Sequence, residues 1–172
     1  MKENWNGIMK IVEVKIIRNN EVIWEDKNLY NILHSDGESM ILQTLFYNDG
    51  SMPPEYYYLG LDSRTELTYA DTMEDSIDEP SGSGYIRQQI SSSSTVNSGW
   101  NISIGTSLHK AVTNIVSFNA TGSYGPVSNL FLTDASDNSG NLISSVSLSS
   151  PATLNSGDTL SLRMTLSLRD CP

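Results

Sequence analysis

The segment Leu160-Ser-Leu-Arg-Met-Thr-Leu-Ser-Leu-Arg169 alternates strictly between apolar and polar side chains. In a β-strand successive side chains point to opposite faces of the sheet, so every apolar residue of this segment lies on one face. This alternation is typical of an antiparallel strand that has one face on a core and the other in water. The segment therefore predicts a long strand, 158–169, that covers a β-sheet core.

The rest of the second half repeats this pattern of strands and turns. Extended segments are predicted at 85–93, 100–105, 111–119, 127–133 and 142–149. Short stretches rich in Asn, Ser, Gly and Pro separate them, as turns require. Many short strands joined by turns predict a mainly β fold, an antiparallel β-sandwich that is jelly-roll-like and has about eight or nine strands.

The first half contributes a β-hairpin and further extended chain. Residues 11–18 alternate in polarity, and extended character resumes at 21–26 after Asn19-Asn20, two residues that tolerate positive φ. Pro53-Pro54 leads into another extended segment, Tyr56-Tyr-Tyr-Leu-Gly-Leu61. We expect Gly60 to allow close packing against the backbone.

One short α-helix is predicted near residues 35–47. Ser35-Asp-Gly-Glu38 has the spacing of a capping box, in which the serine covers a free amide and the glutamate reaches back. Apolar residues follow at helical spacing, and Asn48-Asp-Gly50 ends the run: Met40, Ile41, Leu42, Leu45, Phe46. We expect this apolar stripe to close one open end of the sheet core.

Length and charge limit the class of protein. The 172 residues suit one domain, which we divide into an N-terminal arm, 1–10, and a single β-sandwich domain, 11–172. The lone cysteine, Cys171, has no partner for an internal disulfide.

A net charge of −10 disfavours direct binding to nucleic acid, which needs a basic surface. The sequence contains no apolar run of membrane-spanning length and no secretory signal, so we expect a protein made in a cytoplasm without a membrane partner.

The segment Glu79-Pro-Ser-Gly-Ser-Gly-Tyr-Ile-Arg-Gln-Gln-Ile90 looks at first like a glycine-rich phosphate loop. It lacks both the Gly-Lys-Ser/Thr motif and a helix after it. An acidic run, here called the acidic loop, leads into it and would repel phosphate: Asp71, Glu74, Asp75, Asp78, Glu79. We interpret the glycine-rich segment as a turn that enters a strand at Tyr85. Arg87 is expected to pair with Glu79 or Asp75 and hold the acidic loop against the sheet.

Catalytic and metal-binding patterns are absent from the sequence. His34 and His109 lie outside any motif that activates a nucleophile, so we predict no catalytic residues and no enzyme activity. Asp62-Ser-Arg-Thr-Glu66 and Asp71-Thr-Met-Glu-Asp75 could offer oxygen ligands to Ca²⁺, but neither matches an EF-hand loop. We therefore predict no metal and no cofactor, and we interpret Asp71 as a residue that caps a turn through its side chain.

With catalysis and metal binding not predicted, we expect the chain to act by contacting other molecules through its surface. Two sets of residues are proposed to contact partners: the arm residues Trp5, Ile8 and Met9, which a neighbouring molecule could bury, and the group Asp75, Glu79, Tyr85, Arg87, Trp100 and Tyr124. The aromatic members of the second group could also stack on sugars. A carbohydrate-binding module therefore stays open as an alternative.

Several segments, in order, resemble small structural proteins of tailed bacteriophage virions. They are Tyr58-Leu-Gly-Leu61 with Asp62, Ala70-Asp-Thr-Met-Glu-Asp75, Glu79-Pro-Ser-Gly-Ser-Gly-Tyr-Ile-Arg87 and Asn155-Ser-Gly-Asp-Thr-Leu160. The resemblance covers roughly residues 11–169 and implies a virion protein without catalytic residues.

From this resemblance we expect a capsid decoration or cement protein that stabilises the head by binding across capsid subunit junctions, on the outer capsid surface. The expected partners are the major capsid protein or other virion proteins. A homo-oligomer is also expected, with a trimer as one option. The alternative is a tail component, such as a tail-tip, fibre or adaptor subunit, or the carbohydrate-binding receptor module.

Overall fold

The structure, a computed structural model, describes residues 8–47, 53–92, 99–104 and 109–168. Within these ranges the chain forms ten strands and two helices. In chain order they are β1 (Ile8–Arg18), β2 (Glu21–Leu33), α1 (Ser35–Phe46), β3 (Tyr56–Asp62), α2 (Met73–Ser76), β4 (Gln88–Ser91), β5 (Trp100–Ile104), β6 (His109–Thr113), β7 (Val116–Asn119), β8 (Tyr124–Thr133), β9 (Leu142–Leu154) and β10 (Thr159–Leu168).

The ten strands form one curled sheet. The strand order is β4-β3-β8-β9-β2-β1-β10-β6-β5, and β7 pairs with the first half of β10. Every ladder between these strands is antiparallel. The two edge strands, β4 and β5, approach each other through a parallel bridge between Ser91 and Gly99. The sheet is therefore almost closed into a barrel, which confirms the predicted mainly β, antiparallel fold with a sandwich-like core.

The predicted hairpin and final strand are both present. Asn19 and Asn20 connect β1 to β2 with φ of 51° and 66°, as their tolerance of positive φ suggested. Leu160, Leu162 and Met164 of β10 are buried in the core. Strand β1 begins at Ile8, earlier than the sequence indicated, because its first residues pair with the end of β10.

Two strand predictions differ from the structure. The segment 111–119 is divided into β6 and β7 at Asn114, whose backbone N–H donates to the carbonyl of Gly99 at 2.9 Å. Strand β4 begins at Gln88 rather than Tyr85, because Gly82 to Tyr85 form a turn closed by a 3.0 Å hydrogen bond. The φ of Gly82 and Gly84 is positive in this turn, at 75° and 79°, so glycine suits both positions.

The barrel has an inner core and a smaller outer layer. Inward side chains from most strands form the inner core, including Phe118, Leu130 and Val146. On the outside of β8 and β9, Phe131 and Leu142 pack with Met73 of α2. The long connection between β3 and β4 therefore lies over the outer face of the sheet, and it carries the acidic run to that face.

Helix α1 differs from its prediction in two ways. The residue before the helix is His34, and Ser35 is already the first helical residue, so the predicted capping box is wrong. The carboxylate of Glu38 accepts a hydrogen bond from the hydroxyl of Tyr69 instead (2.9 Å). The expected closure of the core is also wrong in its extent, because only Met40 of the apolar stripe packs against the core. The other four stripe residues are exposed: Ile41, Leu42, Leu45, Phe46.

An ion pair between the exposed Arg18 side chain (40% exposed) and the fully buried Asp158 side chain joins the end of β1 to the turn before β10. Arg18 donates from Nε and Nη2 to the two carboxylate oxygens of Asp158, at 2.6 Å and 2.8 Å. The second oxygen also accepts the backbone N–H of Asn155 (2.7 Å). The hydrogen bonds from Arg18 hold the pKa of the Asp158 carboxyl below its usual value, against the opposing effect of burial.

This pair predicts a specific loss of stability in acid. Because the pKa of Asp158 is lower in the folded state than in the unfolded chain, the stabilisation is complete above the unfolded pKa of about 3.9 and disappears as the pH falls below it. We expect the free energy of unfolding, measured in urea at pH 5 and near pH 3, to fall less in Asp158→Asn than in the wild type. An equal fall in both proteins would contradict this role.

Candidate interaction surfaces

The acidic loop is fastened by a buried arginine. Arg87 has 5% of its side chain exposed, and its Nε lies 2.9 Å from Oε1 of Glu79 while its Nη2 lies 2.5 Å from Oε2. Its Nη1 donates to the carbonyls of Ala135 (3.1 Å) and Asp137. The guanidinium also lies over the ring of Phe131, with 5.3 Å to the centroid. The predicted pairing of Arg87 with Glu79 is therefore present, and the pair also holds the loop between β8 and β9.

Tyr85 extends this network into the core. Its hydroxyl donates to Oε1 of Glu79 and accepts the backbone N–H of Leu61 at 3.0 Å. Its ring stacks on Phe118, with centroids 6.0 Å apart. Burial, together with the charge of Glu79, raises the pKa of the Tyr85 hydroxyl far above its usual value. Glu79, Tyr85 and Arg87 thus connect the outer loops to the barrel, and their polar groups bind the chain itself.

The carboxylates that could have bound Ca²⁺ also have internal roles. Asp62 is fully buried and accepts the backbone N–H of Asp78 (2.8 Å) and the amide of Asn129 (2.7 Å). Burial raises the pKa of this carboxyl, against these hydrogen bonds. Asp71 accepts the backbone N–H of Thr68 (2.6 Å), as expected for a residue that caps a turn. In the described part of the chain, no three His, Cys, Asp or Glu residues come together as a metal site would require.

Helix α1 is fixed to the barrel at its first turn. The backbone N–H of His34 donates to the carbonyl of Ile143 (3.0 Å), and its Nε2 lies 2.8 Å from the hydroxyl of Ser145. His34 is fully buried, and this burial lowers the pKa of its imidazole. Gly37 lies directly against β9, where an added Cβ would be 2.2 Å from the carbonyl oxygen of Ile143. The close contact explains why glycine occupies this helical position despite its low helix propensity.

Substitution of Gly37 tests this attachment. In Gly37→Ala the new methyl group would overlap the β9 backbone, so we expect α1 to shift away from the barrel at a cost of about 2 kcal/mol. Hydrogen exchange of the α1 amides should accelerate much more than exchange of the β8 and β9 amides. Unchanged exchange in α1 would show that the helix accommodates the methyl group in place.

The outward face of α1 is the largest described group of exposed apolar side chains that are close in sequence. Leu42, Leu45 and Phe46 are 57%, 66% and 79% exposed, and Tyr47, which follows the helix, is also exposed. Leu42, Phe46 and Tyr47 line a shallow groove. We call these residues, with Ile41, the α1 surface. The sequence pattern predicted that this stripe lies in the core. Because residues 39–47 include no charged side chain, the pattern does not show which face of the helix is in water.

The other residues proposed as contacts occupy varied places. Trp5 lies outside the described residues, whereas Ile8 and Met9 belong to β1 and pair with Ser167 and Leu166 of β10. Asp75 is in α2.

Tyr124 and Trp100 both lie close to the core. Tyr124 is only 6% exposed, and its ring packs edge-on against Tyr85. Trp100 is half-buried at the start of β5 and packs edge-on against Tyr57, with centroids 6.4 Å apart. The Tyr124 ring therefore has no open face for stacking on a sugar, whereas the Trp100 ring stays partly accessible.

Comparison with known protein families decides the class of this chain. Residues 34–166 match the family model described as podophage GP4 fiber I protein gp80. The chain belongs to this family. The match covers α1 and all the strands from β3 to β9, together with most of β10. It makes the protein a structural component of a phage virion, as the resemblance indicated. No curated protein matches the sequence.

The matched region includes both the fastened acidic loop and α1. Neither helix in the described ranges has the length and apolar character needed to cross a bilayer.

Proposed function

We propose that this protein is a tail component of a podophage virion, a subunit of a tail fibre that acts by binding other virion proteins and has no enzyme activity. The observation that carries the proposal is the match of residues 34–166 to the fiber I family. It favours the tail alternative over the capsid decoration protein that sequence analysis placed first.

The barrel has properties that suit a structural subunit. Networks of side-chain hydrogen bonds hold its loops in place. Arg87, for example, donates to both Glu79 and the carbonyl of Asp137 and so joins the two loops that contain them. Fixed loops present a surface that loses little conformational freedom when a partner binds. The carboxylates most like a functional cluster, Asp62 and Asp71, accept hydrogen bonds from the chain itself. These features support a role in assembly.

Localisation on purified virions tests the proposal. Antibodies against the chain, viewed by immunogold electron microscopy, should label the tail and leave the head unlabelled. Absolute quantification by mass spectrometry should give far fewer copies than of the major capsid protein, because a tail contains few equivalent positions. Labelling over the whole head, with a copy number close to that of the capsid protein, would restore the decoration function and overturn the tail assignment.

A further inference from the structure

We propose that the α1 surface (Ile41, Leu42, Leu45, Phe46 and Tyr47) is a self-association surface that binds a second copy of this chain. Phe46 and Tyr47 are each worth about 150–250 Å² when fully buried, and with the exposed parts of the three aliphatic residues the surface offers on the order of 500 Å² per copy. Two copies joined here would bury on the order of 1,000 Å², which reaches the lower limit for a specific interface.

The distribution of charge makes the second half of α1 the part of the surface where two copies can meet with least repulsion. The chain has a net charge of −10, so two copies repel each other over most of their surfaces. The stretch from Ser39 to Tyr47 contains no charged residue, whereas the acids of α1, Asp36 and Glu38, are confined to its first turn. Copies that meet through the second half of α1 therefore bring apolar surfaces together and keep the helix's own carboxylates at its far end.

The attachment of α1 makes this surface rigid before association. His34 and Gly37 hold the first turn against Ile143 and Ser145, and Met40 packs into the core beneath the helix. A surface that is already ordered loses less conformational entropy on binding. This inference goes beyond the tail assignment, because it concerns contacts between copies and not their place in the virion.

Substitution on the α1 surface tests the inference. In Leu45→Gln/Phe46→Gln, two exposed apolar side chains become polar with no change of charge, and glutamine is a good helix former. The matched control is Ile86→Gln, which alters an isoleucine that is 68% exposed outside the helix. Sedimentation equilibrium over a concentration series should give masses above the 18.9 kDa monomer for the wild type and the control. The double variant should stay at the monomer mass with an unchanged thermal midpoint.

Salt dependence provides a second, independent measurement. Because the copies are both acidic, added salt screens their repulsion, and self-association of the wild type should strengthen as NaCl is raised from low ionic strength. A wild type that is monomeric at every concentration and salt level overturns the inference, as does a double variant that associates like the wild type. If the wild type is monomeric and the double variant fails to enter virions, the occupant is another virion protein. A monomeric wild type found on the tail leaves the tail assignment intact.

Discussion

Gly60→Ala is expected to lose most of its folded protein under conditions in which the wild type is stable. A Cβ at position 60 would lie 2.1 Å from Cζ of the Phe131 ring, far inside van der Waals contact. Strand β3 is held between β4 and β8, and the Phe131 ring is fully buried under the guanidinium of Arg87. Because the strand is hydrogen-bonded on both sides and the ring is fully buried, neither can shift without breaking other contacts, and we expect a destabilisation of about 3 kcal/mol or more. Chemical denaturation followed by tryptophan fluorescence measures it.

Two further variants separate this collision from a general intolerance of glycine substitution. Gly157→Ala places a methyl group where no atom lies within 4 Å, so its cost, about 1 kcal/mol, should come only from the positive φ of 87°. Phe131→Leu in the Gly60→Ala background should recover part of the loss by making room for the methyl group. No recovery in that double variant would mean that the ring is not the obstacle.

Arg87→Met is expected to be the second severe change. It retains an apolar stem over Phe131 but leaves the Glu79 carboxylate without its bidentate partner and the carbonyls of Ala135 and Asp137 without their donor. Removal of one member of a buried ion pair costs about 3–5 kcal/mol, because the other charge remains in a poorly solvated place. Thermal unfolding should show the loss, and hydrogen exchange should accelerate in both loops that Arg87 joins.

A conservative variant at Arg87 and a variant of an exposed ion pair show whether the loss of stability in Arg87→Met comes from the buried pair. Arg87→Lys retains the charge but lacks the planar fork, so it should recover only a part of the lost stability. Lys27→Met breaks an exposed pair with Glu25 and should leave the unfolding midpoint unchanged. If Arg87→Met and Lys27→Met have similar midpoints, the buried pair has no special role in stability.

The sequence was sufficient for those parts of the fold that depend on local pattern. The alternation of β10, the Asn19-Asn20 turn and the polarity of β1 each identify a strand or a turn from neighbouring residues alone. The pairing of Arg87 with Glu79 was also accessible, because the two residues are close in sequence on either side of a turn. Local chemistry therefore predicted the antiparallel fold and the fastening of the acidic loop.

The remaining features depend on contacts between distant parts of the chain. The exposure of the α1 stripe is set by the contact of Gly37 with Ile143, more than a hundred residues later, and no periodicity within the helix contains that information. The sequence suggested that the Tyr124 ring is available to a partner, but in the structure the ring is buried and packs against Tyr85, which is distant in sequence. The family, and with it the preference for a tail component, came from similarity over residues 34–166.

The pairing of β1 with β10 has a mechanical consequence. The two strands are antiparallel neighbours, and Ile8 lies opposite Ser167, so the start of one and the end of the other are side by side. Tension applied between these two points would break the hydrogen bonds of the β1–β10 ladder one residue pair at a time, beginning at Ile8. Tension applied between Ile8 and Thr159, which lie at opposite ends of this ladder, would load all of its hydrogen bonds together. An assembly that pulls β1 and β10 from opposite ends of the ladder would therefore withstand far larger loads than one that pulls on the adjacent ends at Ile8 and Ser167.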